Sequence, residues 1–153
     1  MSGEPCWLNV EEMRAWRAYV VGTHLLDAQL NRELQEEHQL ALADYELMVR
    51  LSEAPCGQAR MSTLAEQVAS SKSRVSHQIG RMEKAGLVRR QDCPADRRGV
   101  FAVLTDHGWD VLRKAAPTHV RGVRDHLVDL LSADERLALA GIFERVVGHL
   151  RGQ

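Results

Sequence analysis

Ser70-Ser71-Lys72-Ser73-Arg74-Val75-Ser76-His77-Gln78-Ile79-Gly80-Arg81-Met82-Glu83-Lys84-Ala85-Gly86 is the stretch whose reading decides the fold of this chain. At 100° per residue Val75, Ile79 and Met82 stack on one helical face, while Ser73, Ser76, His77, Arg81 and Lys84 point elsewhere. Ser71 has the hydroxyl that caps a helix start, and Gly86 supplies the left-handed stop. Immediately upstream, Met61 to Ala69 places Leu64, Ala65 and Val68 on one side of a short helix. The pattern predicts helix, tight turn, helix, with a polar and basic outer face on the second helix.

Downstream of Gly86 the period changes. Leu87-Val88-Arg89-Arg90 and Val100-Phe101-Ala102-Val103-Leu104 are β-prone, and the segment between them, Asp92 to Gly99, is polar with Pro94 and Gly99 near its ends. A hairpin with a basic tip follows. Upstream, Asn9 and Glu12 form a reciprocal cap for a long amphipathic helix over 9–37, and Ala41-Leu42-Ala43-Asp44 resembles a capping box lacking its hydroxyl. That box opens a helix closed by Pro55-Cys56-Gly57. Thr105 caps a helix that Pro117 either kinks or restarts, and Ser132-Ala133-Asp134-Glu135 is a full capping box for a last helix ending near Leu150.

Composition agrees with this. The 153 residues suit one domain of ordinary globular character, 44% apolar and 27% charged, and the low 5% aromatic content favours helical packing over a β-sandwich. The net charge of −1 conceals a segregation: from Ser70 to Gly99 eight basic residues face three acidic ones, a net of +5, which leaves −6 for the remainder. A basic lobe in an otherwise acidic chain points to a polyanion. Since a helix fits the major groove of B-DNA and a narrow basic loop the adjacent minor groove, double-stranded DNA is the expected partner. Ser71, Lys72, Ser73, Arg74, Ser76, His77 and Arg81 are the expected contacts of the second helix, as donors to phosphates and base edges.

Taken together, Leu64-Ala65-Glu66, Ser71 to Ser76, Arg81 to Arg90, Asp96-Arg97-Arg98-Gly99 and Val103-Leu104-Thr105-Asp106-His107-Gly108 resemble the MarR family of winged helix-turn-helix regulators over nearly the whole chain. The resemblance implies a mainly α fold, a single domain over 1–153, in which helices over 9–37 and 106–150 form a dimerisation region and 42–104 the DNA-binding lobe. It also implies that Asp96 braces Arg98, with Arg97 as the alternative, for the minor groove. Homodimers that repress a palindromic operator and release it on binding a small aromatic or phenolic ligand are what such a family leads one to expect. The ligand pocket would lie between the dimer helices and the DNA-binding lobe, with Trp16, Tyr19, His24 and Tyr45 as lining residues that join aromatic surface to polar tips.

The dimer also follows from the residues, because Met13, Trp16 and Val20 with Leu139, Ile142, Phe143, Val146 and Leu150 make apolar faces too extensive for a small lobe to cover. Other functions are weaker. No nucleophile elbow, phosphate loop or HExxH motif is present, so an enzyme is not expected, and no cofactor is implied. A metal-sensing regulator would draw on His119, Asp125, His126 and Asp129, which lack ligand-like spacing. A thiol-based redox sensor would draw on Cys6, which precedes the first helix, whereas Cys56 and Cys93 fall in loops; three cysteines without a CxxC pair suit a reducing compartment. With no signal peptide and no membrane span, a cytoplasmic protein is expected.

Overall fold

The structure, a computed structural model, describes residues 3–92 and 99–153. Nine regular elements follow one another among them: α1 (Val10–His38), α2 (Leu42–Glu53), β1 (Gln58–Arg60), α3 (Met61–Gln67), α4 (Lys72–Lys84), β2 (Val88–Asp92), β3 (Val100–Leu104), α5 (Asp106–His126) and α6 (Ala133–Arg151). Single 3-10 turns lie at Pro55–Gly57 and Val128–Leu130. The fold is mainly helical with one small antiparallel sheet of order β1-β3-β2. The hairpin of β2 and β3 is as the sequence predicts, paired Val88 to Leu104 and Asp92 to Val100. The third strand, β1, was not expected: Gln58–Arg60 carries no strand pattern of its own and owes its conformation to pairing with Phe101–Val103.

The chain divides into two compact units, one of residues 31–122 and one of residues up to 30 together with 123–153. In the first unit Leu34, Leu47, Met48, Leu51, Leu64, Val75, Ile79, Met82 and Val88 are almost wholly removed from solvent and form the core. Each such side chain stabilises the fold by about 1.5–3 kcal/mol relative to exposure. Local chemistry sets the helix ends. Ser71 Oγ accepts from the Arg74 N–H at 3.2 Å, as the sequence predicts for the α4 cap. For α2 the missing cap hydroxyl is replaced from another helix, Asn31 Oδ1 of α1 accepting the Leu42 N–H at 2.9 Å. Helix α5 runs unbroken through Pro117, which removes only the helical donor to the Arg113 carbonyl. Immediately after the proline, buried Thr118 donates its hydroxyl to Glu37 Oε2 at 2.8 Å and lies 2.8 Å from His38 Nε2, while one turn further on Arg121 donates to Glu37 Oε1 at 2.6 Å.

The other unit is differently built. Asn9 and Glu12 exchange backbone-to-side-chain hydrogen bonds at 2.9 and 2.8 Å, and Ser132 with Glu135 makes the same reciprocal cap on α6, both as predicted. Tyr19 stacks on Phe143 with ring centroids 5.4 Å apart. Leu30 is nonetheless the sole buried apolar side chain among this unit's described residues, and α6 buries none. Leu25, Leu137 and Leu150 are each about two-thirds exposed or more, at 66%, 73% and 64%.

The end of β3 is tied by Thr105, whose N–H donates to the Leu87 carbonyl at 3.1 Å and whose hydroxyl accepts the Gly108 N–H at 2.9 Å. That arrangement brings the first turn of α5 against Leu87 so closely that a Cβ on Gly108 would overlap the Leu87 carbonyl oxygen. Gly108→Ala must therefore separate α5 from the wing, and urea unfolding should show a loss of about 2–3 kcal/mol. An unchanged midpoint would mean that this contact is not a close one.

Candidate nucleic-acid interface

Helix α3 ends in a turn with Ala69 at φ +50°, and the Ser70 N–H donates back to the Ala65 carbonyl at 2.9 Å. The left-handed residue reverses the chain so that α4 starts one residue after Ser71. Helix α4 is then oriented by what it buries. Val75, Ile79 and Met82 are at most 1% exposed, which leaves Lys72, Ser73, Arg74, Ser76, His77, Arg81 and Lys84 facing solvent. Ser73, Arg74, Ser76, His77, Arg81 and Lys84 line a groove of about 940 Å³ together with Ser70, Gln78, Gly80 and Arg90. A second hollow of about 420 Å³ is lined by Lys72, Ser76, Arg90, Arg60, Met61, Ser62, Gly99 and Val100.

Of the residues singled out from sequence, five therefore line the groove, Lys72 lines the adjoining hollow, and Ser71 is a helix cap whose hydroxyl is already engaged. Asp96, Arg97 and Arg98 lie outside the described residues, as does Cys93. Sequence reasoning missed Arg90, which lines both hollows. Its guanidinium donates to the Ser76 carbonyl at 2.7 Å, and its N–H donates to Glu83 Oε2 at 3.0 Å, so the first strand of the hairpin is bonded to α4 twice. The available signal was position: Val88 is buried and Arg90 is the next residue but one on the same strand. Arg60 and Gln78 were missed as well.

Trp16, Tyr19 and His24 are exposed and belong to the unit of residues up to 30 and 123–153. Trp16 and Tyr19 stack at 5.8 Å. Tyr45 belongs to the 31–122 unit, where it is buried against His119 with ring centroids 4.5 Å apart. These two rings line a cavity of about 490 Å³ with Glu46, Val49, Arg50, Glu53, Gln67, Val68 and Ala69. Burial raises the pKa of Tyr45 and lowers that of His119, and the Nδ1 atom of His119 is buried with no hydrogen-bond partner. Asp125, His126 and Asp129 fall in the other unit from His119, and Asp129 accepts from Arg124 at 2.8 Å. Among the described residues no three His, Cys, Asp or Glu side chains gather as a metal site would require. Cys6 and Cys56 are free and exposed.

A helix-turn-helix whose second helix offers a basic groove, flanked by a two-stranded wing, defines a winged-helix DNA-binding protein. The comparisons make the class specific. The MarR family model matches residues 40–100. The crystal structure of AbsC, a MarR family transcriptional regulator from Streptomyces coelicolor, is 48% identical and superposes with a TM-score of 0.93, covering 97% of this chain and 100% of that one. Sco3205, a MarR family regulator from the same organism crystallised in complex with DNA, is 42% identical over 97% of this chain and 93% of its own, also at a TM-score of 0.93. The regulator PecS of Dickeya dadantii (strain 3937) is 27% identical over 149 residues, 94% of this chain and 86% of its own length. The chain belongs to the MarR family: it is a DNA-binding transcriptional regulator and not an enzyme.

The Tyr45–His119 contact gives the lobe an acid-sensitive point. A histidine whose folded-state pKa is depressed contributes stability that is fully present above its unfolded value of about 6.5 and is lost as pH falls through the folded value. His119→Phe keeps a planar ring and removes both the titration and the unpartnered nitrogen. Thermal melts should show the variant losing less stability than the parent between about pH 7 and about pH 5. Equal losses would detach His119 from the acid response.

Proposed function

We propose that the chain acts as a homodimeric repressor of a palindromic operator, with 42–104 as its DNA-binding lobe and helices over 9–37 and 106–150 as its dimerisation region, released by a small aromatic ligand. The observation that carries the reading is α4: one face is spent on the core, and the other offers Ser73, Arg74, Ser76, His77 and Arg81 along a single groove. The dimer is supported by α6 and the start of α1, whose apolar side chains are left uncovered in the single chain. Exposed apolar faces of this extent favour a second copy, and a two-fold dimer matches an inverted repeat. Asp96, Arg97 and Arg98 are read as the wing tip that reaches the minor groove. Trp16, Tyr19, His24 and Tyr45 are read as ligand contacts; Tyr45 borders a cavity in which His119 has an unsatisfied nitrogen. Among the described residues no helix is long and apolar enough to cross a membrane, and the reading places the protein with the DNA in the cytoplasm.

Light scattering should return about twice the 17.2 kDa chain mass. Fluorescence anisotropy on inverted repeats with half-sites about 10 bp apart should find a specific site. Arg98→Ala should weaken all DNA binding and lower the salt slope by about one unit, because a wing arginine mainly offers charge to a narrow groove. Ser73→Ala or His77→Ala should instead alter which bases are preferred. A stable monomer that binds no inverted repeat would overturn the reading. For the effector, ligand and operator must weaken each other's binding by the same factor, and a ligand without that reciprocity is not the regulator's signal.

A further inference from the structure

We infer that Asp44, in the first turn of α2, is a positioning residue for operator discrimination: its carboxylate aims Gln78 and Arg81 of α4 into the groove. The inference rests on α4 being the recognition helix. One oxygen, Asp44 Oδ1, accepts a hydrogen bond from Gln78 Nε2 at 2.9 Å and stands 3.9 Å from the Arg81 guanidinium. The Asp44 side chain is only 15% exposed, whereas that of Arg81 is 60% exposed. The anion is thus largely withdrawn while the cation it holds faces out. Gln78 and Arg81 both line the 940 Å³ groove.

No residue of α4 could hold them in its place. The positions three and four away from Arg81 are His77, Gln78, Lys84 and Ala85, and those around Gln78 are Arg74, Val75, Arg81 and Met82, none of them a carboxylate. The carboxylate has to come from another helix, and α2 supplies it at a place where the helix N-terminus favours negative charge. One oxygen serving both also makes the two side chains interdependent: Gln78, through its hydrogen bond, holds in place the carboxylate that Arg81 faces as an ion-pair partner at 3.9 Å. An arginine without such a partner swings on a flexible stem to any phosphate within reach, which strengthens binding to every sequence alike. Held at one point, it rewards only DNA whose groups fall there. Asp44 therefore raises the ratio of operator to non-specific affinity while its negative charge lowers both.

The experiment measures binding of the full-length protein to an operator fragment and to a scrambled duplex of equal length, in parallel salt titrations. For Asp44→Ala the operator-to-scrambled ratio should fall about tenfold, and for Asp44→Asn, which keeps an acceptor for Gln78 without the charge, about fivefold, the scale of a charge-assisted hydrogen bond. In a Gln78→Ala/Arg81→Ala background Asp44→Ala should leave the ratio where it stands, because the groups through which it acts are gone. If the carboxylate acted through its charge alone, its removal would raise both affinities together with the ratio constant, and if it acted through the fold alone, its removal would lower the melting temperature with the ratio constant. Either result overturns the inference. If Arg81→Ala and Gln78→Ala lower the ratio and neither Asp44 variant does, the inference alone fails. If none of the four changes it, the recognition-helix reading fails with it. Asp44→Asn is nearly isosteric and serves should Asp44→Ala not fold.

Discussion

Everything at the DNA-facing surface depends on the burial of Val75, Ile79 and Met82. These three side chains, at most 1% exposed, fix the rotation of α4 about its own axis. A rotation of one residue, 100°, would bring Ser76 or Gly80 into the core and Ile79 toward water, at a cost of about 1.5–3 kcal/mol for each apolar side chain exposed. The groove is consequently as well defined as the core behind it. Its residues need no large interaction energy of their own to be in the right place. Ser73, His77 and Arg81 are exposed because their neighbours on the opposite face are not.

Rotation is one constraint, and translation of the wing relative to α4 is another. Here the fixing groups are polar. Gly86 takes φ +76°, which a side chain would resist, and turns the chain from α4 into the Leu87–Val88 strand entry. Thr105 then bonds the Gly86 carbonyl at 2.5 Å through its hydroxyl and the Leu87 carbonyl through its N–H. Arg90 adds the two bonds to Ser76 and Glu83. Each exposed bond contributes about 0.5–1.5 kcal/mol, less than one buried leucine, but their geometry is directional where apolar contact is not. Apolar burial supplies most of the stability of the arrangement, and the hydrogen bonds supply its register.

What was legible in the sequence follows the same division. Caps and stops are local, and Asn9 with Glu12, Ser71, Thr105, Gly86 and Ser132 with Glu135 all do what their residue types and spacing predict. The inward face of α4 was legible from period alone. Contacts between elements were not. β1 exists through a partner 45 residues away, as Gln58 pairs with Val103. The α2 cap comes from Asn31, eleven residues upstream on another helix. Asp44 sits where a capping-box acid would stand, yet turns to α4, 34 residues ahead in the chain at Gln78. Arg90 looks like one more surface cation until its two bonds to α4 are seen. The aromatic set Trp16, Tyr19, His24 and Tyr45 divides between two units for the same reason: residue type says that a ring is suited to a pocket, and only the fold says which rings share one.

The acids around the groove give the segregation of charge its meaning. At physiological salt the Debye length is about 8 Å, so the +5 of Ser70–Gly99 is little diminished by carboxylates farther away than that, and a net charge near zero is compatible with a strongly attractive lobe. Acids within the lobe are another matter, since each one subtracts directly from the attraction to phosphate. Glu83 and Asp44 are such acids, and both are engaged: Glu83 accepts the Arg90 N–H, and Asp44 accepts from Gln78 and stands beside Arg81. Each lowers the affinity for any polyanion; Glu83 in return ties the strand that carries Arg90 to α4, and Asp44 holds Gln78 and faces Arg81. A groove built only for affinity would omit them. One that must tell an operator from the far larger excess of other DNA gains more from fixed donors than from two further units of positive charge, because the charge acts on both kinds of site and the fixed geometry on only one.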